Sequence, residues 1–141
     1  MSRQTIVVPR LPGFNELLRW RGAKGRRGKK KGAQQNYYNL AKERFEDELC
    51  WVFMAAKLQP FGPAEFFFVW QIHKNLDQRL PDPDNLSGGG RKILFDALVK
   101  GGYMPHDRWS QTGAGWCDRF EQIPLDQEEG VIITITETSD D

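Results

Sequence analysis

Cysteine is nearly absent from this chain. Cys50 and Cys117 are the only two in 141 residues, and neither belongs to a Cys-x-x-Cys pair. That excludes a disulfide framework and a structural zinc site, and it predicts a reducing, cytoplasmic compartment. Long apolar runs are missing too. No stretch approaches the roughly 18 residues of a membrane span, and the polar opening Met1-Ser2-Arg3-Gln4-Thr5 predicts no signal peptide and no membrane partner. Histidine is limited to His73 and His106, neither with an evident serine or cysteine partner, so a nucleophilic triad is set aside. There is no internal repeat. What remains, 39% hydrophobic and 12% aromatic residues, is the composition of one soluble globular domain over residues 1–141, large enough for a core without staples.

Charge is balanced in total and segregated in place. The net charge is +1, yet Arg19, Arg21, Lys24, Arg26, Arg27, Lys29, Lys30 and Lys31 form a run without a single acid. Without those eight, 12 basic residues face 19 acidic ones, a balance of −7. Glycines interleave the run, which reads as a basic flexible loop over residues 19–34 on an acidic body. Such a loop is either a solvated surface segment or a phosphate-binding arm.

The hydrophobic pattern predicts a strand over Gln4 to Pro9, then a helix from about Gln35 to Leu58. In that helix Tyr37, Leu40, Ala41, Phe45, Leu49, Val52, Phe53 and Ala56 make the apolar face, and Lys42, Glu43, Glu46, Asp47 and Glu48 the polar one. Ala64 to His73 is the strongest strand, with His73 completing it. A second helix is expected from about Gly89 to Lys100, burying Ile93, Leu94, Ala97 and Leu98 and stopped by Gly101-Gly102. Gly113 to Phe120 reads as loop or short strand, and Val131 to Thr136 as a β-branched strand. These elements give an α+β (mixed α/β) fold class, a sheet of about three to four strands packed with two main helices.

The chemistry concentrates between Pro81 and Asp107, beginning with Pro81-Asp82-Pro83-Asp84-Asn85-Leu86. On an extended segment Asp82 and Asp84 point the same way, and Pro83 stiffens that geometry. Two carboxylates so placed repel unless a cation lies between them, and hard oxygen ligands suit Mg²⁺ or Mn²⁺. The same residues are also ordinary turn formers. Asp107, after the glycine stop, is placed where the chain can fold back toward the pair, and Lys92 lies about one turn into the expected helix. Three carboxylates and a lysine around one or two ions can activate water and stabilise the leaving oxygen of a phosphodiester. Acidic ligands repel a polyanion, so such an enzyme needs positive charge elsewhere, and the Arg19 to Lys31 run supplies it. Asp96, four residues from Lys92, is read as a helix ion-pair partner, Asn85 as a cap or a support for a carboxylate, and Gly88-Gly89-Gly90 as a hinge or a close backbone approach. Trp109 and Trp116 are either core residues or stacking platforms for unpaired bases.

On Asp82-x-Asp84-Asn85-Leu86, Lys92-x-x-Phe95-Asp96-Ala97-Leu98, Gly102 and Asp107, the chain resembles the RusA family of Holliday junction resolvases. Pro12-Gly13-Phe14-Asn15 and the closing strand from Ile132 to Glu137 are similar to that family's ends. The resemblance implies a Mg²⁺-dependent crossover junction endodeoxyribonuclease of bacterial, phage or prophage origin. It would act as a homodimer that nicks branched DNA in pairs during recombination and repair. It also implies that Asp82, Asp84 and Asp107 hold the metal and that Lys92 is catalytic. Ser87-Gly88-Gly89-Gly90-Arg91 is longer than the family spacing, so the lysine match requires a gap, with Arg91 as the other choice. His106 stands where the family often has a second acid. Two other readings remain open: a non-catalytic nucleic-acid-binding protein, and a phage nuclease acting on flaps or forks.

Overall fold

A computed structural model describes residues 2–12, 31–73 and 83–138, with the side chains of 31–38, 84, 85 and 109 outside that description. Four strands form one sheet: β1 (Arg3–Pro9), β2 (Ala64–His73), β3 (Trp116–Ile123) and β4 (Gly130–Glu137), in the spatial order β1-β4-β2-β3. β4 pairs antiparallel with both β1 and β2, whereas β3 runs parallel to β2. Three helices complete the described chain: α1 (Lys31–Ala55), α2 (Pro83–Lys100) and the short α3 (Trp109–Thr112). The α+β class and the two main helices thus match the sequence reading, with β3 longer than the loop or short strand expected there.

Alternation decides which sheet face is covered. Ile6 and Val8 of β1, Phe66, Phe68 and Trp70 of β2, and Val131, Ile133 and Ile135 of β4 are all buried on one face. They meet Leu86, Ile93, Leu94, Ala97 and Leu98 of α2 and Leu49 and Phe53 of α1 in one cluster. Phe95 closes against Phe66 edge-on, with ring centroids 5.1 Å apart.

The strand register gives the molecule two ends. Pro9 of β1 pairs with Gly130, which also pairs with Gln71 of β2, and Gln71 pairs with Glu121 of β3. Hence β1, β2 and β3 all exit at the same end, called here the head. At the opposite end, the foot, the Gln4 side chain bonds the backbone of Gln59, and the Phe61 N–H donates to the Tyr103 carbonyl at 2.9 Å. Both long helices terminate at this foot. Each closes with the same backbone device, a return bond from Leu58 N–H to Phe53 O and from Tyr103 N–H to Leu98 O. Gly102 supplies the positive φ for α2, and Lys57 does so for α1.

α2 begins at Pro83 rather than at Gly89. Pro83 occupies the first helical position, where its missing N–H is no loss. The glycines read as a loop are helical because the helix lies against the sheet there: a Cβ on Gly90 would sit 2.6 Å from the Trp70 ring. That is the close backbone approach anticipated for this run. α1 begins at Lys31 rather than at about Gln35, so residues 31–34 of the expected loop are helical, and it also differs from expectation in its facing. Leu40, assigned to the apolar face, is exposed, and Glu46, assigned to the polar face, is buried. Glu46 tolerates burial because Lys42 Nζ donates to it at 2.7 Å and Lys100 Nζ lies 3.8 Å away.

Candidate functional site

The head end is where the basic run and the Asp82/Asp84 motif join the described chain. The basic run lies between Pro12, just beyond the head end of β1, and Lys31, the first residue of α1. α2 starts at the head as well, since Gly90 lies on Trp70 and Leu11 while Phe95 lies nearer the foot on Phe66. α1 runs broadly alongside it in the same direction, as the ion pairs Lys42–Asp96 (3.2 Å) and Asp47–Lys100 (2.9 Å) require. The arm and the acidic motif therefore attach to one end of the fold, at the carboxyl ends of the parallel pair β2 and β3.

Arg19, Arg21, Lys24, Arg26, Arg27, Lys29, Lys30 and Asp82 lie outside the described residues, and Lys31 is described only in its helical backbone. Asp84 is the second residue of α2, so it is helical and not part of an extended Asp-x-Asp segment. The first turn of a helix carries unpaired N–H groups that favour a carboxylate, which gives Asp84 a structural reason as well as a chemical one. Lys92 is a half-exposed side chain, 49% accessible, with Asp96 at 3.9 Å. It stands nine residues into α2 rather than one turn from its start, and about 12 Å along the axis from Asp84.

Asp107 is at the other end. α2 rises roughly 24 Å between Asp84 and Lys100, and the chain after it docks at the foot instead of folding back. Tyr103 O accepts from Phe61, Gln111 Nε2 donates to Gly62 O at 2.7 Å, and Gly115 O accepts from Phe66. Asp107 lies within this segment, exposed, its carbonyl accepting from Thr112 Oγ1. His106 Nδ1 accepts from the Arg108 N–H. One chain thus sets Asp84 and Asp107 at opposite ends of α2. Among the described residues no three His, Cys, Asp or Glu side chains gather as a metal cluster. Asp82 and Asp84 are two residues apart in sequence, and their carboxylates belong to the hard-oxygen class that suits Mg²⁺.

Arg91, the other choice for the catalytic cation, is committed elsewhere. Its guanidinium pairs with Asp118 of β3 and lies 5.0 Å from the centroid of Trp116, while Trp70 Nε1–H donates to Asp118 at 2.9 Å. This partly buried network ties α2 to the edge strand. Asp118 carries no signal in the sequence, because its partners lie 27 and 48 residues away. Trp116 lies over the helix side of β3 against Arg91 and, with ring centroids 5.9 Å apart, Phe95, and is otherwise exposed. Asp96 is an ion-pair residue as anticipated, with Lys42 as its nearer partner. At the head, His73 completes β2: its backbone N–H donates to Glu129 at 2.8 Å and its Nε2–H to the Gln127 carbonyl at 2.6 Å. Glu129 also pairs with Arg10 at 3.2 Å, so this cluster pins the β3–β4 turn to β1 and β2.

Among the described residues no helix is long and apolar enough to cross a membrane. Compared with protein-family models and with curated proteins, the chain matches none.

Proposed function

We propose that the protein is a divalent-metal-dependent endodeoxyribonuclease acting on branched DNA, four-way junctions above all, at the head of the fold. The observation that carries the reading is the common attachment of the basic arm and the Asp82/Asp84 motif to that one end. A polyanion drawn to the arm meets the carboxylates there, and neither feature serves a nuclease alone. Within the RusA-like motif the apolar members Leu86, Phe95, Ala97 and Leu98 are buried and hold α2 in place, while Lys92 stays open to solvent.

Asp82 and Asp84 hold Mg²⁺ or Mn²⁺ in this reading, and the ion, when bound, supplies an activated water and charge neutralisation at the scissile phosphate. Lys92, about 12 Å along the helix from Asp84, grips a neighbouring phosphate and orients the backbone. Asp107 joins the same site only if a second chain presents it. The paired nicking of a homodimer follows from the resemblance.

Cleavage of a synthetic four-way junction with Mg²⁺ tests the proposal. Asp84→Asn and Asp82→Asn are each expected to lower cleavage on the order of 100-fold or more while junction binding persists. Equal cleavage by wild type and both variants removes the catalytic assignment. The helix-terminal position of Asp84 favours one second reading, a nucleic-acid-binding protein whose acids are structural, and that reading predicts binding without any cleavage. Competition among junction, flap and fork substrates separates the first reading from a nuclease of another branched substrate.

A further inference from the structure

The head half of α2 meets the sheet through a face with little to interlock. Gly90 lays bare backbone against Trp70 and Leu11, and Gly88 and Gly89 before it carry no side chain. A helix takes its roll about its own axis from side chains that lock into grooves, and such a face leaves that roll open. Two ion pairs fix it instead, one on each flank. On one side Arg91 pairs with Asp118 of β3, and on the other Asp96 pairs with Lys42 of α1 at 3.2 Å. At about 100° per residue Lys92 projects between these anchors, opposite the buried Ile93, Leu94, Ala97 and Leu98.

The two anchors are unequal. Asp96 is shared between Lys42 and Lys92 itself, whereas the Arg91 and Asp118 side chains are only 17% and 19% accessible. Asp118 joins three elements: its own β3, Arg91 of α2, and β2 through the Trp70 Nε1–H at 2.9 Å. The indole it orients is the surface on which Gly90 rests. The Arg91 guanidinium is confined further by the rings of Trp116 and Phe68, whose centroids lie 5.0 and 6.0 Å away. A charged pair enclosed in this way holds one geometry, which an exposed pair does not. We infer that Asp118 is a positioning residue of the proposed nuclease: by capturing Arg91 it fixes the roll of α2 and aims the neighbouring Lys92 at a substrate phosphate. The same capture withholds Arg91 from the substrate, so that Lys92 presents the charge on this turn.

The inference rests on the reading of Lys92 as a phosphate grip, and its test is junction binding by the full chain against salt concentration, without divalent metal so that nothing is cut. Asp118→Asn removes an acid, and on charge alone it would tighten the hold on a polyanion. The positioning role predicts the opposite sign: binding roughly threefold or more weaker at about 0.1 M salt, with a salt slope smaller by about one, the loss of one phosphate contact. Lys92→Met is expected to lower the slope by the same amount. Adding Asp118→Asn to Lys92→Met is expected to lower it no further, because the aspartate acts through the lysine. Arg91→Gln breaks the pair from the helix side and leaves Asp118 its bond from Trp70. The same loss, and the same lack of further loss in Lys92→Met, is expected of it, and it carries the test if urea denaturation shows Asp118→Asn unfolded. Binding by folded Asp118→Asn as tight as the wild type, or tighter, overturns the inference. So does a further fall in slope when either substitution is added to Lys92→Met. Loss in Arg91→Gln but not in Asp118→Asn assigns Arg91 to the phosphate directly and also overturns it. A wild type that binds junctions but does not cut them with Mg²⁺ overturns the nuclease reading alone, and one that binds none overturns both.

Discussion

α1 and α2 pack against each other, run broadly the same way and end with the same return bond, yet their surroundings differ sharply. α2 is enclosed: the sheet covers one side and α1 another, so that even its glycines at 89 and 90 are buried. Among the described residues α1 is covered on the side of Leu49 and Phe53, which face the core, while Leu40, Trp51 and Met54 on the opposite side face out. The difference separates two uses of hydrophobic residues in one small domain. Those of α2 stabilise the fold, and those of α1 beyond the core face are open among the described residues.

Matched truncations sharpen this comparison most. Leu98→Ala in α2 is expected to cost about 2–5 kcal/mol of stability, whereas Leu40→Ala in α1 should stay within about 0.5 kcal/mol for the isolated chain. Urea denaturation of both variants checks this, and equal losses would break the distinction. Gly90→Ala comes next. Helix propensity alone favours alanine, but the added Cβ would press on Trp70 and on Leu11, so a net loss of about 1–3 kcal/mol is expected. A stabilised variant would show that α2 can lift from the sheet without penalty.

The charged seam between the helices gives the smallest effect. Burial works against the charge of Lys42, but hydrogen bonds to Glu46 and Asp96 outweigh it, and its pKa lies above the ordinary 10.5. The hydrogen bond to Asp47 raises Lys100 likewise. A raised lysine stabilises the fold fully below the ordinary value, and that contribution disappears as pH climbs through the raised one. Lys42→Met should therefore cost about 1–2 kcal/mol at pH 9 and lose less than the wild type between pH 9 and pH 11.5. Parallel pH profiles for the two proteins would remove Lys42 from the account.

Much of this architecture is legible in the residues. β1, β2 and β4 are short runs of apolar, aromatic and β-branched residues bounded by turn formers, and that composition places them. The start of α2 is hidden because three successive glycines argue against a helix; close packing on Trp70 overrides their propensity. The facing of α1 is misread at Leu40 and Glu46 because periodicity identifies a stripe without knowing that Lys42 and Lys100 neutralise a buried acid. The edge strand β3 mixes Trp116, Asp118 and Phe120 on its helix side, a pattern with no clear hydrophobic face. Within the candidate site, the exposure of Lys92 follows from its place on the helix. The foot position of Asp107 does not, since backbone bonds from Phe61 and Phe66 and the Gln111 side chain fix it, and no local signal announces them.

The length of α2 acts as a ruler with a carboxylate at each pole. Asp84 opens the helix at the head, and Asp107 follows its end at the foot. On the proposed nuclease reading, the third aspartate of the motif then has to come to the head from outside the chain that carries the other two.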